Sequence, residues 1–101
     1  MLTFRRNSDS ALFAAVTWAG NFADITAFLA ANPPLLHPKV TEDNPAAIGI
    51  TLLPSGDLAV YGIDGTPIVC HLTDSVLRAA TDHWLSVVTA ATLASSFTLV
   101  P

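Results

Sequence analysis

The sequence predicts a small α+β domain in which an antiparallel sheet of three to four strands packs against two helices. Three observations predict it. An extended chain from Ala11 to Trp18 places Leu12, Ala14, Val16 and Trp18 on one side and Phe13 and Ala15 on the other, the period of a strand partly covered on both faces. Phe22, Ile25, Phe28 and Leu29 recur at helical spacing. Two turn signals, Pro54-Ser55-Gly56-Asp57 and Asp64-Gly65, bracket short apolar runs that read as a hairpin.

Taken along the chain, Phe4 to Arg6 begins a strand that Asn7-Ser8-Asp9-Ser10 interrupts. After the Ala11–Trp18 strand, Gly20-Asn21 punctuates. Asn21 is a natural N-cap, because its side-chain oxygen can accept from an exposed amide of the first turn. Asp24 then sits where negative charge favours the helix dipole. Asn32-Pro33-Pro34 ends that helix, since proline lacks the amide and clashes with the preceding turn. A loop follows over Leu35–Asn44, then a strand over Ala46–Leu53 with Ile48, Ile50 and Leu52 on one side. Leu58–Ile63 and Thr66–Cys70 form the hairpin arms.

Thr73 or Asp74 is expected to cap a second helix that turns Val76, Leu77 and Ala80 inward. The spacing carries this helix on through Trp84, Val87, Val88 and Ala91. The alternative is a break near Thr81-Asp82 and one or two terminal strands, favoured by the β-branched Val87-Val88-Thr89. No repeat divides the chain, so residues 1–101 read as one domain, with 1–10 and 35–45 as its flexible parts.

Composition bounds the function. Apolar residues make up 51% of the 101 residues and charged residues 12%, against a usual charged share of about 25%. So little charge covers a lone monomer poorly, which predicts a homo-oligomer or a protein partner. The net charge is −4, and the only basic residues are Arg5, Arg6, Lys39 and Arg78. Direct nucleic-acid binding needs clustered cations and is rejected. An acidic chain can instead compete with nucleic acid for a basic protein surface. A single cysteine and the lack of a signal-peptide pattern point to the cytoplasm. The charge-free run from His83 to Pro101 has 19 residues but is rich in Ser and Thr, so it reads as buried helix or strands rather than a membrane span.

No catalytic or metal-binding constellation emerges, and no cofactor is implied. Cys70 and His71 are adjacent, yet on a strand they point to opposite faces and cannot share a proton. His37, His71 and His83 lack metal-ligand spacing. Asp57, Asp64 and Asp74 have local purposes at turns and a helix start, and Asp82 reads as solvated. The candidate binding residues are Trp18 and Tyr61, amphipathic aromatics of the kind favoured at interfaces and ligand pockets, for which the alternative is a place in the core, together with Asp57 and Asp64 in the turns.

Phe4-Arg5-Arg6, Trp18-Ala19-Gly20-Asn21, Ile25, Phe28-Leu29, Gly56-Asp57, Gly62, Gly65, Cys70, Asp74, Val76 and Arg78 occur in an order that resembles a family of small phage and prophage proteins of uncharacterised function. The resemblance spans about residues 4–82 and leaves 83–101 as an extension. Leu58 stands where the family usually has an aromatic after Gly-Asp, and Leu77 and Thr81 stand where it has one in the last helix. The resemblance, taken with the small size, acidity, low charge density and missing catalytic set, leads to the expectation of a non-enzymatic phage protein acting in the bacterial cytoplasm by binding a host protein, such as a CRISPR or other anti-phage defence component. Two alternatives are an oligomeric module that binds a nucleotide signal and a virion or assembly component.

Overall fold

The computed structural model describes residues 2–38, 49–63 and 65–100. Among these, eight strands form two antiparallel sheets and two helices pack against them, an α+β arrangement. The strands are β1 (Leu2–Arg6), β2 (Leu12–Thr17), β3 (Ile50–Leu52), β4 (Leu58–Tyr61), β5 (Pro67–Cys70), β6 (Ser75–Ala79), β7 (Leu85–Val88) and β8 (Phe97–Val100). The helices are α1 (Phe22–Ala31) and α2 (Ala90–Ser96). The larger sheet has five strands in the order β7-β6-β2-β1-β8, and the smaller has three in the order β3-β4-β5. The single sheet of three to four strands expected from sequence is thus corrected to two sheets.

β1 and β2 form a hairpin across Asn7–Ser10. Asp9 closes it, pairing with Arg6 at 2.6 Å and accepting from the Ala11 amide at 3.2 Å. The Arg6 guanidinium, followed by the Ala11 amide, holds the Asp9 carboxyl down at about 2. Arg6 also lies over the Phe13 ring, 5.1 Å from its centroid. Residues 2–6, in the segment assigned to flexible chain, are therefore a strand hydrogen-bonded to β2 on one side and β8 on the other.

α1 follows its sequence signals. The Asn21 side chain accepts from the Ala23 amide at 3.0 Å, and Ile25, Phe28 and Leu29 are buried. Fully burying each such side chain stabilises by about 1.5–3 kcal/mol. At the other end the buried Asn32 donates from both its backbone N and its Nδ2 to the Phe28 carbonyl. The chain after Pro33 is tied to the larger sheet, with Arg78 Nε donating to the Pro33 carbonyl at 3.2 Å and the Leu35 amide to the His83 carbonyl at 2.9 Å.

The expected strand over 46–53 is seen as β3, with 46–48 outside the described residues. The Leu35–Asn44 loop likewise falls outside from residue 39 onward. β4 and β5 form the expected hairpin, but Tyr61 lies opposite Pro67, so the connection runs from 62 to 66 rather than as a two-residue turn.

The helix expected from Thr73 onward is not formed. Thr73 takes φ +77, and Asp74 accepts from the His71 amide at 3.0 Å, closing a turn rather than capping a helix. Ser75, Val76 and Leu77 are buried in succession because β6 is a central strand covered on both faces. Such a continuous apolar run carries no period to separate strand from helix. The chain breaks at Thr81-Asp82: Asp82 Oδ1 accepts from the Trp84 amide at 3.2 Å, and His83 takes φ +64. β7 then returns beside β6, in the register Val76 opposite Val87. The second helix is α2, capped by Thr89, whose Oγ1 accepts from the Thr92 amide at 3.1 Å.

The larger sheet separates two apolar cores. On one face Trp18, Val76 and Leu85 pack with Ile25, Phe28 and Leu29 of α1 and with Ile50, Leu58, Val60 and Cys70 of the smaller sheet. On the other, Phe13, Ala15, Leu77 and Phe97 gather under Leu93 of α2. Phe13 and Phe97 meet edge to face at 5.6 Å, across the intervening β1. β2 supplies Val16 and Trp18 to one core and Phe13 and Ala15 to the other, as its alternation requires. No described helix is long and apolar enough to cross a membrane.

Candidate functional site

The smaller sheet has one face in the core and one turned away from it. Ile50, Leu58, Val60 and Cys70 point inward. Strand alternation therefore puts Thr51, Ala59, Tyr61, Pro67 and Val69 on the outer face, with Asp57 and His71 extending the same rows. Two of the sequence candidates, Asp57 and Tyr61, thus share this face at opposite ends of β4. Asp64 lies outside the described residues. Val69 and His71 were not singled out as binding residues, although the hairpin register, once known, places them directly across from Ala59 and Asp57.

Trp18 belongs elsewhere. Its ring is 1% exposed, inside the core. Its Nε1 donates to the Gly56 carbonyl at 3.0 Å. Its backbone amide donates to the Asp74 carbonyl, and its own carbonyl accepts from the Thr73 amide, both at 2.9 Å. One residue at the end of β2 thereby holds the 54–57 turn and the 71–74 turn side by side. Those turns carry Asp57 and His71, so Trp18 positions one end of the outer face from beneath.

At that end Asp57 Oδ2 lies 3.2 Å from His71 Nδ1. Ser55 Oγ donates to the same carboxylate at 3.3 Å, and the Asp57 amide donates back to Ser55 Oγ at 3.4 Å. The hydroxyl bonds the carboxylate and not the imidazole, so this order does not activate a nucleophile, which needs its hydroxyl on the base. Cys70 is buried beside His71 but on the opposite face. Burial, reinforced by the negative charges of Asp74 and Asp57, pushes its thiol up to about 12, far from the thiolate that nucleophilic chemistry requires. Among the described residues no His, Cys, Asp and Glu side chains cluster as a metal site.

Charge and exposure distinguish this part of the molecule. From residue 40 to residue 77 the sequence has no Lys or Arg and five acidic residues, Glu42, Asp43, Asp57, Asp64 and Asp74, of which Asp57 and Asp74 are among the described residues. Arg5, Arg6 and Arg78 all belong to the larger sheet. Val69 on the outer face is 45% exposed, and Leu72 in the adjoining turn is 55% exposed. An apolar groove of about 290 Å³ lies elsewhere, between α1 and Pro33, Pro34 and Leu36, and no charged side chain lines it. A nucleotide there would find no cationic donor for its phosphates.

The chain matches no family model, no curated protein and no solved structure.

Proposed function

We propose that this is a non-enzymatic phage or prophage protein that binds a basic surface of a bacterial host protein through the outer face of its three-stranded sheet. The bound host protein is a component of anti-phage defence, such as a CRISPR effector, which the chain inhibits in the cytoplasm. The observation that carries the reading is the pairing of an exposed Val69 and a half-buried Tyr61 with Asp57 on the same face, in a stretch from 40 to 77 whose sequence holds no cation. Apolar contact supplies affinity, and the negative charge of this cation-free stretch steers a basic partner into place. A defence protein that handles nucleic acid has such a surface, and occupying it blocks the nucleic acid by competition.

Affinity capture from bacterial lysate tests this, comparing the natural chain with a Tyr61→Ala, Val69→Lys double variant. The expected result is a host protein retained by the natural chain, released by raised salt, and retained at least about tenfold less by the variant. Retention of nothing above background, or equal retention by both, overturns the reading.

A further inference from the structure

Three of the four outermost strands have some protection against pairing with another chain. β7 lies against β4 and β5. β5 opens with Pro67, and β3 has only three residues. β8 has none of these devices. Its four residues, Phe97-Thr98-Leu99-Val100, include no charge and no proline, whereas solvent-exposed edges normally carry one or the other.

The hydrogen-bond pattern shows which groups β8 presents. The Asn7 amide donates to the Ser96 carbonyl at 2.9 Å. In an antiparallel ladder the bonded positions alternate, so Ser96, Thr98 and Val100 turn their main-chain groups toward β1. Phe97 and Leu99 turn their amides and carbonyls to the open side. The side chains of Leu99 and Leu2 lie on one face of the sheet beside this edge, 52% and 49% exposed.

We propose that β8 pairs antiparallel with β8 of a second copy of the chain about a two-fold axis perpendicular to the sheet. Such an axis keeps each residue on its own face, so opposed residues must be separated by an even number of positions. Phe97 and Leu99 both face outward, and pairing Phe97 with Leu99 of the partner subunit, and the reverse, makes four main-chain bonds. Thr98 then lies opposite Thr98 of the partner subunit as a non-bonded pair. The two larger sheets become one sheet of ten strands, and the Leu2 and Leu99 patches of both copies join. Charge permits this although the chain is acidic, because β8 is uncharged, Arg6 on the adjoining strand is neutralised by Asp9, and the exposed Arg5 opposite Thr98 stands three strand spacings, about 14 Å, from its counterpart, beyond the screening length at physiological salt. A stable interface of standard size buries about 1,600 Å². A strand pair with two flanking leucines buries less, so the dimer is weak and is populated at tens to about 200 µM chain. The outer face of the smaller sheet takes no part, which keeps this inference separate from host binding.

Solution mass by light scattering, measured up to about 200 µM, and cysteine cross-linking test it together. The natural chain is expected to show an average mass that rises with concentration above its 10.6 kDa monomer mass. Thr98→Lys, exposed in a single copy but opposed to its own like charge in the dimer, should return it to the monomer. Opposed Cα atoms of a non-bonded pair are about 4.5 Å apart, within disulfide reach. Thr98→Cys should therefore cross-link on mild oxidation, while Val100→Cys, roughly 13 Å from its counterpart, should not. A monomer at every concentration, a larger mass that Thr98→Lys leaves unchanged, or equal cross-linking at both positions overturns the proposal.

Discussion

The indole Nε1 of Trp18 donates to the carbonyl oxygen of Gly56 at 3.0 Å, joining the end of β2 in the larger sheet to the turn that begins β4 in the smaller. The two sheets share no strand. Their attachment therefore depends on side-chain packing in the common core and on a few bonds of this kind.

Trp18→Phe removes the donor and leaves the Gly56 carbonyl without it, a loss of about 1–3 kcal/mol. Trp18→Ala also leaves a cavity and should cost about 3–5 kcal/mol. Urea unfolding followed by circular dichroism measures both, and the order natural chain, Phe, Ala in falling stability is the expected outcome.

Gly56 and Gly62 separate two causes of glycine dependence. Gly56 takes φ +92, and a Cβ built on it meets nothing within 4 Å. Gly56→Ala should lose about 1–2 kcal/mol through backbone strain alone. A Cβ on Gly62 would lie 3.0 Å from the Leu85 carbonyl oxygen, on the backbone of β7. Gly62→Ala should cost about 1–3 kcal/mol by forcing β4 and β7 apart. Replacing Gly56 by Asn, which tolerates the left-handed region, should recover part of the loss at 56, while Asn at 62 should be worse than Ala.

Cys70 gives a pH signature. Its thiol is held up to about 12 against an ordinary 9.0. The folded state therefore keeps a proton that the unfolded chain releases between these values. By linkage, this contribution is complete below about pH 9 and is lost as pH rises toward about 12. Denaturant midpoints across pH 8–11 should fall more steeply for the natural chain than for Cys70→Ala. In the native protein at pH 8 the thiol should resist a disulfide-exchange reagent and react fully only in denaturant.

The parts of this fold that were legible in the sequence are those built from local signals. Asn21 and Pro33-Pro34 mark the ends of α1, and the alternation from Leu12 to Trp18 correctly divides β2 between two faces. The segment from Thr73 to Val88 misleads because Ser75-Val76-Leu77 is buried on both faces, and a doubly covered strand and an interior helix present the same apolar run. Val87-Val88 carried the true signal, since β-branched residues fit a pleated surface better than a helix. The pairing of β1 with β8 brings together residues more than ninety positions apart, and no local feature encodes it. At the candidate site, Asp57 and Tyr61 were legible as types. That they share a face with Val69 and His71 follows only from the register of β4 against β5.

β1 lies between β2 and β8 in the larger sheet. On the ribosome, residues 2–6 can find β2 early, but their second neighbour, β8, is synthesised long after β2. Until residues 97–100 leave the exit tunnel, β1 stands as a bare margin and Phe13 lacks the Phe97 ring that covers it. During that interval the nascent chain is exposed to mispairing at β1, and long-range pairing of β1 with β8 is the kind of contact that slows folding.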